Sequence, residues 1–384
     1  MFDTTTDLVS RLLKGSVTHL DIPPELHAAA TREYERVGGW LTANVDDGAG
    51  WAVHAQGSFL LNTVVLPAGT DEYDVDCVCR RQIDKEATSQ QRLKNEVGEE
   101  LSAYRVAHAH LSDAPRALQE RSRCWTLGYS RAQRFHLDVL PAIPNADGGP
   151  TAILITDRDL REWQRSDPLS YAAWFKRQAE AEFLAKRLLL AEAQRTAPQA
   201  IPDWEVKTTL HRTVQVLKLH RNRFFADDLD SRPASILVTT LAALAYEGEQ
   251  DLYGAVLAAV RQMPDHIQEG PAGRYSVPNP VEPREDFADR WRHHPALADR
   301  FFEWLGRLEE DLREAESLRG LDRVVARLSE SFGDEPVVKA AASLGDEFRR
   351  TRERGALALT GATGVLSTKG SVPVRNHDFY GEIG

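Results

Sequence analysis

The spacing of apolar residues changes character near residue 150. Residues 24–44 repeat apolar positions at helical spacing behind a proline in the first turn, which predicts a helix. From 56 to 80 the pattern shortens to strand-like alternation around the loop LPAGT. Residues 84–112 predict a second helix, with Leu93, Val97, Leu101 and Tyr104 on one face. Two strand-like runs follow, CWTLGYS at 124–130 and RFHLDVLPAI at 134–143. Beyond the loop NADGGP almost everything predicts helix: 159–165, 171–197, 204–225, 234–247, 250–262, 285–292, 296–317, 320–332 and 335–353. A mixed segment of roughly 150 residues therefore precedes a helical one of about 200, both of domain size. The last thirty residues, rich in Gly, Ser and Thr, read as a flexible tail.

Composition narrows the classes. The chain has 384 residues, 42% hydrophobic and 27% charged, enough to bury a core unaided. No run of about eighteen apolar residues is present, so no membrane span is expected. The N-terminus lacks the zones of a secretory signal, and three cysteines give no disulfide framework, which together predict a cytoplasmic, reduced protein. With 47 basic against 58 acidic residues the net charge is −11, which disfavours long nucleic acid as the main partner. A mononucleotide needs only a local basic pocket and stays open.

The candidate chemistry lies in EYDVDCVC. Alternation puts Asp74 and Asp76 on one strand face and Tyr73, Val75, Cys77 and Cys79 on the other. The second set makes a core face, with the cysteines as small buried hydrophobes. Two carboxylates so placed repel by about 1–3 kcal/mol at an effective dielectric of about 20–40. Solvation, a proton or a cation must relieve that repulsion. Alone, D-x-D reads more simply as a wet edge strand. Asp138 supplies a third acid in another apolar strand, with His136 on its face, and Gly57-Ser58 lies ahead of the pair. A small-residue turn, paired acids and a later single acid suit two-metal phosphoryl transfer.

These residues resemble the catalytic core of DNA polymerase β-like nucleotidyltransferases. The longer strings QGSFLLNT, DEYDVDCVC, FHLDVLPAIP, TLHRTVQVLKLHRNRFF, SILVTTLAALAY and VPNPVEPREDFADRW are similar to those of bacterial CD-NTases. These DncV-like relatives of animal cyclic GMP-AMP synthase serve CBASS anti-phage defence. The resemblance implies an α+β, two-lobed fold: a catalytic lobe over 1–155 with a small mixed sheet and an N-terminal helix, a helical-bundle lobe over 156–354, and a flexible tail over 355–384.

It also implies roles. Asp74, Asp76 and Asp138 would hold two Mg²⁺ (or Mn²⁺) ions, with Asp138 nearest the attacking ribose hydroxyl. Gln56, Gly57 and Ser58 would contact the donor phosphates, and Lys218 the triphosphate tail. Ser235, in the first turn of the next helix, would add an anion contact. The substrates would be ATP, GTP or other nucleoside triphosphates, and the product a cyclic di- or trinucleotide such as cyclic GMP-AMP, read by a defence effector. The same fold also allows transfer to a protein or small-molecule acceptor, or a non-catalytic nucleotide-binding regulator. The chain departs from the family pattern in a longer gap between Gly57-Ser58 and Asp74, and in Asp286, where an amide is expected. Without the resemblance, the five Lys/Arg of 204–223 would read as a solvated basic helix and Ser235 as a helix cap. DFYGEIG, ending at Gly384, resembles a substrate for conjugation by a ubiquitin-transfer-like operon partner; an ordinary frayed terminus is the other reading.

Overall fold

The structure is a computed structural model and describes residues 5–43, 50–67, 72–156, 162–271, 273–359, 366–367 and 371–374. The chain begins with α1 (Thr5–Thr18), α2 (Pro24–Ala43), β1 (Trp51–Gln56), the single turn α3 (Gly57–Leu60), β2 (Tyr73–Arg81) and α4 (Gln90–Ala107). It continues through β3 (Ala117–Glu120), β4 (Trp125–Gly128), β5 (Phe135–Pro144), β6 (Ile153–Ile155) and β7 (Gln164–Ser166). Helices then take over: α5 (Pro168–Arg177), α6 (Glu180–Gln194), α7 (Thr209–Phe224), α8 (Ser235–Leu244) and α9 (Leu252–Gln262). After the hairpin β8 (Gln268–Gly270) and β9 (Arg274–Ser276) come α10 (Ala296–Ser317), α11 (Leu321–Phe332) and α12 (Asp334–Glu353). Three short strands close the described chain: β10 (Ala358–Leu359), β11 (Leu366–Ser367) and β12 (Val372–Pro373).

The main sheet runs β1-β2-β5-β4-β3, with β6 paired to β5 and β7 to β6. Only β2 and β5 among its described pairs are parallel. A parallel pair needs a long crossover, and α4 lies within it. Ser89 caps that helix by accepting from the Arg92 amide. Leu93, Val97, Leu101 and Tyr104 of α4 are fully buried against Val75, Cys77, Cys79, Leu137 and Val139 of the sheet. The alternating core faces of β2 and β5 are thus as expected, and Cys77 and Cys79 are packing groups. Beneath them Glu33 of α2 is buried, accepting from the hydroxyls of Tyr104 (2.5 Å) and Tyr129 (3.0 Å) and pairing with Arg36 at 2.8 Å.

The mixed α+β architecture stands, with corrections inside it. Residues 159–165 are not a helix: Gln164–Ser166 pair with β6, and 157–161 lie outside the described residues. The span 171–197 divides into α5 and α6. Of 285–292 only Asp289–Arg292 makes a helical turn, a short 3₁₀ one. Its neighbours are held as a loop, with Asn279 N–H donating to Glu285 O and Phe287 N–H to Val277 O. Helix α1 lies outside the elements predicted from spacing. Its Leu8, Val9, Leu12, Leu13 and Val17 join the apolar cluster of α7–α12, so the first residues pack with the helical half. The tail is not wholly irregular, since β10 pairs with both β11 and β12. Gly384 and most of LPAGT lie outside the described residues. No described helix is long and apolar enough to cross a membrane.

Candidate active site

Strand register assembles the acids. Asp76 stands opposite Asp138 on the parallel neighbour, Gln56 opposite Asp76 on one side, and Thr126 opposite Asp138 on the other. Gln56, Asp76, Asp138 and Thr126 therefore form one row across β1, β2, β5 and β4. Adjacent strands lie about 4.8 Å apart, which keeps Asp76 and Asp138 well within a nanometre. Two residues along, Asp74 stands opposite His136. All three carboxylates emerge on the face away from α2 and α4.

Two of the acids are presently turned onto protein partners. Asp74 Oδ1 lies 2.8 Å from His136 Nε2, and Asp138 Oδ1 accepts from the Thr126 hydroxyl at 2.5 Å. Among the described residues no three His, Cys, Asp or Glu side chains are gathered into a metal-holding group. The donor set nevertheless fits a hard divalent cation, being carboxylate oxygen throughout. Its electrostatics ask for one. Burial first, then Asp74 and Asp138, push the Asp76 carboxyl up to about 7. His136 is raised to about 9, chiefly by its hydrogen bond to Asp74.

The turn after β1 is shaped by Asp76. Gly57 has φ +63°, and a Cβ there would sit 2.2 Å from Asp76 Oδ2. Glycine is required both for the left-handed backbone and for the bare approach to the acid. The turn is then tied to α7. Lys218 Nζ donates to Thr63 O and Thr63 Oγ1, both at 3.0 Å, and Gln215 Nε2 donates to Val64 O at 2.8 Å.

Helix α7 is no solvated basic helix. His211, Gln215, Lys218 and Arg221 are all buried. Burial, with Arg221 next, lowers Lys218 to about 7. Arg221 is lowered to about 9 by burial. Its guanidinium donates to Pro233 O (3.1 Å) and Ser235 Oγ (2.9 Å). Ser235 begins α8 and makes no side-chain cap bond. Because its oxygen accepts from Arg221, its own proton is free to point away.

A cavity of about 760 Å³ opens beside the acids, lined on the sheet side by Gln56, Gly57 and Asp76 and on the helical side by Ala234, Ile236, Glu285 and Arg290. Ser58, Asp74, Asp138, Lys218 and Ser235 do not line it. Charge spacing alone could not have found Arg123, Arg165 or Arg290, which reach the cavity from three separate segments. Asp286 is occupied structurally: its carboxylate accepts from the amides of Val277 (2.9 Å) and Ala288 (3.0 Å) and from Arg292 (2.7 Å). Glu282 is likewise engaged, by Arg284 at 2.9 Å.

Residues 52–141 match the family model described as "Cyclic GMP-AMP synthase DncV-like, nucleotidyltransferase domain". A c-di-GMP synthase of Roseivirga ehrenbergii is 28% identical over 355 residues, 91% of either chain. The cyclic dinucleotide synthase CdnG of Bradyrhizobium diazoefficiens is 24% identical, covering 99% of this chain and 96% of its own. The solved structure of that CdnG with GTP superposes with a TM-score of 0.72 at 23% identity, over 88% of this chain and all of the other. The resemblance drawn from the strings above, which run from about residue 25 to 310, is thus borne out by the family model within residues 52–141, and beyond them by the fold.

Proposed function

We propose that this chain, which carries a DncV-like nucleotidyltransferase domain, joins nucleoside triphosphates into a cyclic dinucleotide, with GTP as at least one substrate. The observation that carries the reading is the strand register: three acids on one face of two adjacent parallel strands, with half-buried Asp76 forming no ion pair among the described residues. Asp74, Asp76 and Asp138 would hold divalent magnesium, which would supply Lewis-acid neutralisation of the phosphates. The chain's own part is positioning. Gly57 brings a bare backbone N–H to the phosphates. Lys218 and Arg221 supply fixed positive charge behind the α8 N-terminus, and Ser235 a free hydroxyl proton. Asp138, oriented by Thr126, faces the ribose hydroxyl that attacks the α-phosphorus of the donor while pyrophosphate leaves. A linear dinucleotide forms first and turns around in the cleft for ring closure.

The family points to anti-phage signalling, with a defence effector reading the product in the cytoplasm and the Gly384 end as a conjugation substrate. Intact mass from cells carrying the whole operon tests the conjugation, and an unmodified chain during phage challenge counts against it. The activity is tested with purified protein, Mg²⁺ and labelled ATP and GTP, followed by phosphatase. A phosphatase-resistant small nucleotide is expected. Label on protein would mark an acceptor-modifying transferase, and unchanged triphosphate a regulator.

A further inference from the structure

The cavity wall opposite the acids holds a carboxylate that nothing in the proposed chemistry uses. Glu285 accepts from Asn279 Nδ2 at 2.6 Å on one oxygen and from Ser166 Oγ at 3.2 Å on the other. Ser166 belongs to β7 of the sheet half and Asn279 to the loop after β9, so both halves of the molecule aim this group. Its neighbours Glu282 and Asp286 each have an arginine at 2.9 or 2.7 Å. Glu285 has no ion pair among the described residues, and burial pushes its carboxyl up to about 7. Asn279 is itself buried and fixed by the Val281 amide on its Oδ1.

An ionised carboxylate offers about four acceptor positions, two on each oxygen. One on each oxygen is taken, leaving one on each oxygen of a residue that lines the cavity. A group that supplied two parallel N–H donors would satisfy both. Among nucleobases only guanine presents two adjacent donors on its Watson–Crick edge, N1–H and the N2 amine. Adenine and cytosine pair one donor with an acceptor, and uracil sets one donor between two carbonyls. The surrounding wall suits a flat ring: Leu60, Leu140, Ile236 and Phe287 line the same cavity, and Phe287 is braced edge-on by Tyr171 at 5.9 Å.

We propose that Glu285, held by Asn279 and Ser166, is the specificity-determining residue that reads guanine in this cleft. The inference rests on the triphosphate-binding reading above and adds the base. A buried site built to pair a substrate's donors rejects an analogue lacking them strongly, because its own acceptors are left unmet.

The test is equilibrium binding of α,β-methylene analogues of GTP, ITP and ATP to the full chain with Mg²⁺. The wild type should bind the guanine analogue ~10-fold or more tighter than the inosine one, which lacks the N2 amine, with adenine weaker still. Glu285→Gln, which keeps the shape and can still accept from Asn279, should lose ~10- to 100-fold for guanine and bring the guanine-to-adenine ratio close to one. A wild type that does not separate guanine from inosine overturns the proposal without any variant. So does an unchanged ratio in a Glu285→Gln protein of wild-type melting temperature. Binding of no triphosphate at all would overturn the parent reading as well, whereas product formation with an unaltered ratio overturns this inference alone.

Discussion

Helix α7 carries two buried charged sets two residues apart, and they are built in opposite ways. Toward α10, His220 Nε2 lies 3.0 Å from Asp311 and its Nδ1 accepts from the Trp304 indole at 2.9 Å. Asp311 also meets Arg307 at 2.7 Å and Arg327. That set is closed, with each charge answered inside the chain. Toward the cleft, Lys218 and Arg221 are just as buried yet meet only carbonyl, amide and hydroxyl oxygens. Asp76 across the turn, half-buried and of opposite sign, forms no ion pair with Lys218 among the described residues. Desolvating a charge costs several kcal/mol. The closed set offsets this internally and serves the fold. The open set leaves it standing on both sides of a gap, which suits an occupant bearing both signs, a metal–triphosphate.

The comparison breaks if both sets respond alike to mutation. The largest separation should come from Asp76→Asn or Asp74→Asn. Either should cut the rate of product formation by at least ~10³-fold, as when a metal's charge stabilisation is lost. The melting temperature of Asp76→Asn should hold or rise, because a buried repulsion is removed. Retained activity with a lowered melting temperature would place these acids with the structural set.

Asp311→Asn should do the reverse. It leaves His220 and Arg327 without their shared acceptor charge and should cost about 3 kcal/mol in urea unfolding. The kcat per folded molecule should stay within about threefold, since no cavity residue is touched. A loss of kcat with unchanged stability would show that α7 couples the two sets.

Lys218→Met sharpens the contrast at smaller scale. Losing a charge-assisted phosphate contact should raise KM for triphosphate ~10- to 30-fold with little change in kcat. Stability without ligand should be level or higher, because an apolar chain of similar length replaces a buried unpaired cation. A drop in both stability and affinity would move Lys218 into the structural category.

Legibility from sequence follows the same division. The acid row could be read because period two is local: it puts Asp74 and Asp76 on one face, and β2 obeys it residue by residue. Helix α10 could be read too, its long amphipathic pattern coinciding with Ala296–Ser317. Charge counting, by contrast, recognised α7 as basic but not that its bases are buried, because burial is decided by α8, α9 and the Thr63 segment packing round it. Only the fold reveals Ser235 as a partner of Arg221. Residues 285–292 read as helical, yet the Asp286 carboxylate accepts from the Val277 amide, and residues 278 and 286 pair in an isolated β-bridge. Helix α1 shows another kind of miss: Leu8, Val9, Leu12, Leu13 and Val17 recur at helical spacing, and their burial depends on the distant helices α7–α12.

The closed set makes a last, smaller prediction through pH. Burial lowers the His220 pKa, against the pull of Asp311, while hydrogen bonds from His220 and Ser331 hold Asp311 down at about 2. A histidine depressed in the folded state contributes stability above its unfolded value near 6.5. That contribution is lost as pH falls, because the unfolded chain takes the proton first. For Asp311 the loss falls between about 3.8 and 2, beyond the range where the protein would be assayed. Between pH 6.5 and 5.5 the His220 proton can therefore account for at most about 1.4 kcal/mol. Urea unfolding of the wild type should lose stability across that interval. His220→Gln, whose amide can still accept from Trp304 and donate to Asp311, should lose less by up to that amount. Equal slopes would mean that burial leaves the His220 pKa at its unfolded value, so that the closed set does not resist protonation of its histidine.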